Sequence, residues 1–336
     1  MISFALVDAF TDRPFAGNTA GVVSAADGLS TDQMQRIARE LGQTETCFVS
    51  STDRSEVDLA LRWFTPTVEV DLCGHATVAA FTVLAGEGRV DWSDDRAQLC
   101  CATRTGTIGV WLERMPSGSP RVMMSVGVAS LAPAPEDRLA VAQAVGLAPS
   151  AIDASLPLMS DRGSARLIVP VSRLSDLLRL EPNGPGMVAY GKQTDYRRFT
   201  LVCRETENRD SFVHLRHFAP ANGIPEDPVT GTAHAVAAIY LDREGLLPPG
   251  ERVVLTGEQG HATDRRGNVM VEVQRQAGRI TDVRIGGTAV ITARGELMAR
   301  PEGLCAERPS ESILTCVAPG GGMDEVRAAP TAGPLP

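Results

Sequence analysis

The chain has 336 residues, with 32 basic and 41 acidic side chains and a formal net charge of −9 at pH 7. This length favours two domains, because single hydrophobic cores seldom grow beyond roughly 250 to 300 residues. The acidic balance, without a basic run interleaved with aromatic residues, excludes nucleic acid and an anionic membrane surface as expected partners. No stretch approaches the roughly 20 uninterrupted apolar residues of a membrane span, so we expect a soluble protein with no membrane contact.

The cysteines and the N-terminal segment both indicate the cytoplasm. Seven cysteines are an odd number and are scattered along the chain, which suits a reducing compartment better than a disulfide framework. Asp8 would fall inside the apolar region of a signal peptide, and neither a basic leader nor a cleavage-like site accompanies it. The first residues are therefore predicted to form a strand.

Alternating and helical patterns predict a mixed α+β chain in which strands outnumber helices. Ser30 with Gln33 forms a capping box, and Gly42 is a typical helix end. The predicted helices lie near residues 31–41, 75–84, 136–145 and 232–244. The predicted strands lie near residues 2–8, 20–23, 44–50, 57–64, 98–103, 107–113, 120–127, 164–171, 196–204, 211–218, 253–255, 268–274, 283–285 and 289–292.

Glu45 is the most informative side chain of the early strands. Because side chains alternate along a strand, Glu45 shares one face with Cys47 and Val49. A carboxylate on an apolar face is either paired or functional. In a cleft poor in water its pKa would rise toward the value that an acid/base catalyst needs near neutrality.

One pattern occurs twice in the chain and indicates an internal duplication. Both copies contain Arg-x-Phe-[Thr/Ala]-Pro, then acidic residues, then a glycine turn at Gly74 or Gly231, then an alanine-rich apolar helix. The two copies read RWFTPTVEVDLCGHATVAAFTVL and RHFAPANGIPEDPVTGTAHAVAAIYL. A helix that is apolar on every side is buried on every side, so we expect a curved sheet around each one.

The duplication predicts two related domains, 1–127 and 128–300, followed by a flexible tail at 301–336 that is rich in Pro, Gly, Ser and Ala. If the two helix N-termini face each other across a cleft, their free N–H groups and partial positive charges make a seat for a carboxylate. The alternative is that Gly74 and Gly231 only permit tight turns. Cys73 precedes the first glycine but Thr230 precedes the second, which argues against a racemase with two thiolates.

Five segments in this order resemble the PhzF-like family of phenazine-biosynthesis isomerases, over roughly residues 3–298. They are DAFTDRPFAGN, TETCFV, RWFTPTVEVDLCGHAT, GIPEDPVTGTAH and IGGTAVITARGEL. The resemblance implies the diaminopimelate-epimerase-like fold, with two pseudo-symmetric domains that each curl a mostly antiparallel sheet around a central buried helix. It also implies a homodimer, a reaction without cofactor or metal, and a place in secondary metabolism such as antibiotic biosynthesis.

The resemblance implies roles for particular residues. Glu45 matches the carboxylate that, in the phenazine enzyme, removes a proton from a dihydro-hydroxyanthranilic acid and returns it elsewhere on the conjugated system. His75 and Asp227 match polar site positions, and these three are the predicted catalytic residues. The predicted substrate-binding residues are Asn18, Cys73, Gly74, Gly231 and Thr232. Thr19 stands where the family usually has proline, and Cys47 follows the Glu-Thr pair; these two departures together leave the substrate open.

Several roles stay open at this point. Asp227 accepts a hydrogen bond from a substrate amino group, holds His75, or caps the following turn. Cys73 is a thiolate at a helix N-terminus or a packing residue. His214 and His217 lie three apart in a strand and point to opposite faces, so they predict no metal site. The alternative functions are an amino-acid-type epimerase on the same fold and a metabolite-binding protein without catalysis.

Overall fold

The computed structural model describes residues 1–116 and 118–298. These residues form a mixed α+β fold in which strands predominate, as the sequence predicts. None of the helices in this part of the chain is both long enough and apolar enough to cross a membrane. The predicted flexible tail, 301–336, lies outside the described residues, and the division into domains at residue 127 stays a prediction.

The helices are fewer than the strands and lie between them in the chain. The strands are β1 Ile2–Ala9, β2 Asn18–Val23, β3 Glu45–Ser50, β4 Leu59–Phe64, β5 Glu69–Val70, β6 Arg96–Thr103, β7 Gly106–Glu113, β8 Arg121–Ser125, β9 Leu131–Pro133, β10 Met159–Asp161, β11 Arg166–Val171, β12 Arg198–Cys203, β13 His214–Ala219, β14 Ile224–Asp227, β15 Arg252–Gln259, β16 Gly267–Gln276, β17 Arg279–Gly287 and β18 Ala289–Leu297. The α-helices are α1 Thr31–Leu41, α2 Gly74–Gly86, α3 Arg138–Val145, α4 Leu174–Arg179, α5 Gly184–Thr194 and α6 Gly231–Arg243.

The strand pairing repeats in the two halves of the chain. In the first half β1 pairs antiparallel with β2, β2 parallel with β3, and β3 antiparallel with β4. Strand β4 then pairs antiparallel with β5 and parallel with β6, and β6, β7 and β8 continue as an antiparallel meander. Strands β10 to β17 repeat the same order and the same directions. The duplication read from the motifs therefore extends to the whole strand pattern.

The two halves are joined by shared strands. Strand β8 pairs antiparallel with β17, its counterpart in the repeat. Strand β18, at the end of the second half, pairs with β1, and β9, at the end of the first half, pairs with β10. Each half thus receives its last strand from the other, which connects the two copies of the pattern through backbone hydrogen bonds.

Helix α2 is buried along its length, as its lack of polar faces predicts. All of its residues from Gly74 to Leu84 are buried. Strands β1, β2 and β3 pack against it together with β8, β17 and β18. The helix therefore lies inside a wall of strands, and its N-terminus is fixed by core packing.

Helix α6 is the counterpart of α2 and has two buried faces. Ala235, Ala238 and Ile239 belong to the same hydrophobic cluster as α2. Val236 and Tyr240 pack in a second cluster with residues of β11 and β13. Because α2 and α6 share one core, the starts of the two helices have fixed positions relative to each other.

The predicted boundaries of α1 and the predicted end of α3 are confirmed, whereas α3 begins at Arg138, two residues later than predicted. Ser30 and Gln33 make the reciprocal capping box, and Gly42 ends α1 in the left-handed conformation. Gly146 ends α3 in the same way. Helices α4 and α5, which lie between β11 and β12, are not predicted by the sequence patterns. Strands β5, β9, β10 and β14 also escape prediction, since each has only two to four residues.

Candidate active site

Glu45 opens strand β3 and lies beside the buried start of helix α2. Cys47 and Val49, on the same strand face, are fully buried in the core, as the alternation predicts. The Glu45 side chain is 15% exposed, and its Oε2 lies 3.3 Å from Nε2 of His75. Burial raises the pKa of Glu45 to about 7, against smaller lowering contributions from Thr44 and Arg198. This carboxyl group can therefore both release and accept a proton near neutrality.

His75 lies in the first turn of α2 and connects the two carboxyl groups of the site. Its Nε2 faces Glu45, and its Nδ1 lies 3.4 Å from Nδ2 of Asn18 and 3.5 Å from Sγ of Cys73. Burial lowers the pKa of His75, although the nearby Asp227 opposes this. The imidazole is therefore neutral near pH 7 and can exchange a hydrogen bond with Glu45.

Asp227 ends strand β14 and is held in place by two donors. Nδ2 of Asn18 donates to its Oδ1 at 2.7 Å, and the hydroxyl of Thr230 donates to its Oδ2. Its backbone oxygen accepts a hydrogen bond from Nε2 of Gln259 at 2.7 Å. Burial raises the pKa of Asp227 to about 6, and the Glu45 carboxylate contributes to the rise. Two carboxyl groups with raised pKa values thus flank one neutral imidazole.

The two glycine turns bring the N-termini of α2 and α6 together. A β-carbon built on Gly74 would lie 3.9 Å from the Cα of Gly231 and 2.8 Å from Cδ1 of Ile285. A β-carbon on Gly231 would meet the same Ile285 methyl group at 2.7 Å. The N-cap residues, Cys73 and Thr230, make no side-chain capping hydrogen bond. Close approach, rather than a special turn conformation, is what requires glycine at both positions.

Cys73 is buried at the N-cap of α2. Burial raises its pKa well above the usual value for a thiol, and the Glu45 carboxylate adds to this effect. The helix start therefore does not turn Cys73 into a thiolate. Of the two roles that the sequence leaves open, the electrostatics favour a neutral thiol that packs against His75.

Thr232 is the second residue of α6 and is bound by an arginine. Arg166 donates from Nη1 to the Thr232 carbonyl at 3.0 Å and from Nη2 to its hydroxyl at 3.2 Å. Thr232, Arg166 and Arg198 line a cavity of about 750 Å³. Arg198 is close enough to Glu45 to lower its pKa, so this cavity lies beside the predicted proton carrier.

Strand register shows which residue of the second half corresponds to Glu45. In the first half, Phe64 of the Arg-x-Phe-x-Pro motif pairs with the residue that follows Glu45. In the second half, Phe218 of the same motif pairs with the residue that follows Arg198. Arg198 therefore holds in the second half the position that Glu45 holds in the first. The repeat has a carboxylate on one side and a cation on the other.

Glu45, Cys73 and His75 each place one possible metal ligand atom within 4.8 Å of the others. A metal ion requires such ligands to be deprotonated. The raised pKa of Cys73 keeps its thiol protonated near neutral pH, and the pKa of Glu45, about 7, leaves that carboxyl group protonated about half of the time. The chemistry of this set therefore favours proton transfer over cation binding.

Comparison with known proteins shows the family of this chain. The family model described as phenazine biosynthesis-like protein, PhzC-PhzF, matches residues 7–295. The chain belongs to the PhzC-PhzF family. It is 37% identical over 301 residues to the isomerase YddE of Escherichia coli O157:H7, covering 86% of this chain and 96% of that one. A crystal structure of the PhzF-family protein of Bacillus anthracis is 32% identical, with a TM-score of 0.79 over 89% of this chain and 99% of that one.

A more distant PhzC-PhzF relative carries a specific activity in its name. The trans-2,3-dihydro-3-hydroxyanthranilate isomerase of Pseudomonas chlororaphis is 27% identical over 299 residues, which cover 89% of this chain and all of that protein. Both of these relatives are named isomerases, and this PhzC-PhzF protein is an enzyme of the same class. The predicted family, fold class and enzyme class are confirmed.

Three residues around this candidate site, Gln259, Arg166 and Arg198, are not among those predicted from the sequence. Gln259 orients Asp227 and Thr230 from the end of β15, 32 and 29 residues away in the chain. Arg166 and Arg198 each begin an apolar strand, and they pair in the parallel β11–β12 ladder. An arginine at the start of each of two otherwise apolar strands is the sequence signal that could have identified Arg166 and Arg198.

Proposed function

We propose that this protein is a cofactor-independent isomerase that shifts a proton within a small unsaturated carboxylate of amino-acid type. Glu45 removes the proton from one carbon and returns it to another carbon of the conjugated system. The observation that carries this proposal is the position of Glu45: a largely buried carboxyl group with its pKa raised to about 7, beside the neutral imidazole of His75. A proton carrier needs a pKa near the working pH so that both of its states are accessible.

The asymmetry of the repeat supports a single proton carrier. Arg198 holds the position equivalent to Glu45, and Thr230 holds the position equivalent to Cys73. Neither a guanidinium nor a threonine hydroxyl is a ready proton acceptor near pH 7. The second half therefore offers charge and hydrogen bonds at these positions, and the first half offers the base.

The substrate carboxylate is proposed to bind at the paired N-termini of α2 and α6. The helix starts at Gly74 and Gly231 supply N–H groups and partial positive charge, and no side chain caps them in the described structure. The cations of Arg166 and Arg198 lie on the wall of the neighbouring cavity. This set of groups lets a protein with a net charge of −9 attract a small acid locally.

His75, Asp227 and Asn18 are proposed to position the substrate and Glu45. Asn18 links Asp227 and His75, and both Asn18 and His75 are buried. Asp227 is proposed to accept a hydrogen bond from a substrate amino group. A carboxylate binds an amino group more strongly than a neutral acceptor does, because hydrogen bonds to an ionised group are stronger.

A second candidate function is inversion of a stereocentre, which needs two bases on opposite faces of one carbon. Asp227 is the observation that favours it, because its pKa is raised to about 6 and it interacts electrostatically with both His75 and Glu45. The third candidate, a binding protein without catalysis, has no such observation in its favour. From family membership we also propose a homodimer in the cytoplasm and a role in secondary metabolism.

An isotope experiment distinguishes these functions. The enzyme is incubated in D2O with trans-2,3-dihydro-3-hydroxyanthranilate and with a panel of small unsaturated amino and hydroxy carboxylates, and products are followed by NMR. One-base isomerisation moves the proton to a new carbon and retains part of the original hydrogen. Inversion places solvent deuterium at the original carbon. If the enzyme causes neither conversion nor exchange in any compound of the panel, the proposed catalysis is wrong.

A further inference from the structure

A second cluster of titratable side chains lies outside the proposed active site, where β13 and β15 run parallel. His214 and Glu258 are partners in that ladder, and Nδ1 of His214 lies 2.8 Å from Oε1 of Glu258. The ring of His261, in the turn that follows β15, lies 4.5 Å from the ring of His214 between centroids. One possible metal ligand atom from each of these three residues lies within 4.8 Å of the other two.

The two imidazoles each have one nitrogen held and one nitrogen free. The side chain of His214 is fully buried and that of Glu258 is 3% exposed. Nδ1 of His214 is bound to Glu258, and Nε2 of His261 lies 3.4 Å from a carboxylate oxygen of Glu207. In the part of the chain that the structure describes, Nε2 of His214 and Nδ1 of His261 have no hydrogen-bond partner. Buried polar atoms are normally satisfied, so two orphan nitrogens in neighbouring rings require an explanation.

A divalent ion would replace the proton between Nδ1 of His214 and Oε1 of Glu258, so that these two atoms become ligands, and the unpartnered Nδ1 of His261 is available as the third. Glu258 is itself held by the backbone N–H groups of Glu207 and Asn208, at 2.6 and 3.1 Å. The carboxylate ligand is thus held in position before any ion arrives. The cluster also has an entrance, since Glu258 and His261 line a surface cavity of about 560 Å³.

We propose that His214, His261 and Glu258 bind a divalent transition-metal ion of the zinc type. Imidazole and carboxylate ligands suit Zn²⁺, Ni²⁺, Cu²⁺ and Co²⁺, whereas Mg²⁺ and Ca²⁺ take oxygen ligands almost alone. In a tetrahedral site with metal–ligand bonds of about 2.0–2.1 Å, ligand atoms lie roughly 3.3 Å apart. The ion therefore draws the three side chains together by up to about 1.5 Å, which the turn that carries His261 can accommodate.

The location gives the ion a structural consequence for the active site. Glu258 is followed by Gln259, whose side chain accepts from the backbone N–H of Thr230 at 2.9 Å and donates to the carbonyl of Asp227 at 2.7 Å. An ion bound at Glu258 and His261 would stiffen the strand end that carries Gln259. Metal binding would thereby stabilise the position of Asp227 without contact with the substrate.

The sequence spacing conceals this site. His214 and Glu258 are 44 residues apart, and the nearest histidine in the same strand, His217, is bound by Thr200 instead. The strand alternation correctly separates His214 from His217, but it cannot show that His214 meets a residue of a distant strand. Only the parallel pairing of β13 with β15 brings the three ligands together.

Metal binding is tested with the full-length, tag-free chain after dialysis against a chelator. Zn²⁺ is titrated by calorimetry, and Co²⁺ is titrated by visible absorption, in which tetrahedral coordination gives intense bands. The wild type and Glu45→Gln should each bind one ion, and the ion should raise their thermal midpoint by roughly 3 to 6 °C at one hundred times Kd. His261→Gln and Glu258→Gln should bind at least roughly tenfold more weakly and lose the thermal shift.

Glu45→Gln is the matched control, because Glu45, Cys73 and His75 form the other group that could hold an ion. His261 lies at the edge of the cluster, with 10% of its side chain exposed, so His261→Gln decides the question even if Glu258→Gln does not fold. The proposal is overturned if the wild type shows no binding, if His261→Gln binds as tightly as the wild type, or if Glu45→Gln is the variant that loses the ion.

Discussion

Gly74 and Gly231 meet where helices α2 and α6 begin, and a β-carbon on Gly74 would lie 3.9 Å from the α-carbon of Gly231. This relationship joins the two copies of the repeated motif at the proposed carboxylate seat. The N–H groups of both helix starts can reach one anion only if the backbones come this close. The same glycines give the first prediction.

Gly74→Ala should lower kcat/KM by roughly tenfold or more, because its methyl group would lie 2.8 Å from Cδ1 of Ile285 and force the helix start to shift. A misplacement of about 1 Å is enough for such a loss. Alanine is otherwise the better helix former, so helix propensity works against the effect. Ile285→Val removes the Cδ1 atom, and the double variant Gly74→Ala/Ile285→Val should recover most of the activity.

Gly86→Ala is the matched control for this prediction. Gly86 ends the same helix, and a β-carbon there would meet its nearest atom at 3.8 Å, an ordinary contact. Steady-state kinetics of the four enzymes decide the matter. Equal losses in Gly74→Ala and Gly86→Ala, or no recovery in the double variant, would show that the glycine contact has no special role.

Arg198→Gln should move the acidic limb of the pH profile of kcat/KM to higher pH. The positive charge of Arg198 lowers the pKa of Glu45, so its removal should raise that pKa further, by roughly half a unit or more. The acidic limb reports the ionisation of an essential base in the free enzyme. Arg197→Gln, an exposed neighbour, should leave the limb in place. An unchanged limb in Arg198→Gln would contradict the electrostatic link.

Glu45→Gln should be more stable than the wild type at pH 8 and equally stable near pH 4.5. The folded pKa of Glu45 is raised from 4.5 to about 7, so the folded state binds more protons than the unfolded state between these values. Wild-type stability from this group is therefore complete below pH 4.5 and is lost as pH rises to 7. Glutamine carries no charge, and the difference should reach at most about 3 kcal/mol above pH 7.

The control variant, Glu69→Gln, should change the stability at pH 8 in the opposite direction. Glu69 is as little exposed as Glu45, but its hydrogen bonds with Arg62 lower its pKa. Its stabilising contribution is present above pH 4.5 and is lost as pH falls, so Glu69→Gln should be destabilised most at pH 8. Chemical denaturation of the two variants and the wild type at pH 5 and pH 8 measures both effects. A Glu45→Gln variant less stable than the wild type at pH 8 would argue against a buried carboxyl group whose ionised form destabilises the fold.

Much of the fold follows from local sequence patterns, because those patterns describe contacts within one element. The capping box at Ser30 and the apolar surface of α2 are properties of single helices, and both are confirmed. Helix α5 is different: Gly191 sits where a β-carbon would come within 2.1 Å of the carbonyl of Tyr196. Its glycines are poor helix formers, and tertiary packing overrides their propensity. No local pattern contains that information.

Some residues of the candidate site can likewise be predicted from sequence motifs, and others cannot. His75 and Asp227 lie in the motif that the sequence repeats, and Glu45 lies in the segment TETCFV. The structure brings the three together through His75 and Asn18. Arg198 acts on Glu45 from a strand that is distant in the sequence. Its equivalence to Glu45 depends on strand register, which only the pairing of β3 with β4 and of β12 with β13 reveals.

Asp227→Asn should lower kcat/KM by roughly tenfold or more while changing the thermal midpoint little. In asparagine the amide oxygen can still accept from Nδ2 of Asn18, and the amide N–H can donate to the Thr230 hydroxyl, which donates to Asp227 in the wild type. The turn should therefore retain its shape. The variant loses the negative charge that we propose receives the substrate amino group, and a hydrogen bond to a charged group contributes about 1.5–3 kcal/mol. Asp71→Asn, an exposed acid of the first motif that binds Arg104, is the control. Kinetics close to wild type in Asp227→Asn would leave only the capping role.

We propose that Glu45 carries the proton, and the rate of Glu45→Gln under substrate saturation decides whether it does. We expect kcat to fall at least ~10²-fold, the usual contribution of a positioned acid/base, while the substrate still binds with nearly the wild-type Kd. Glu69→Gln, with the same small exposure, should keep the wild-type kcat. A Glu45→Gln enzyme that turns over at close to the wild-type rate would show that Glu45 is not the proton carrier.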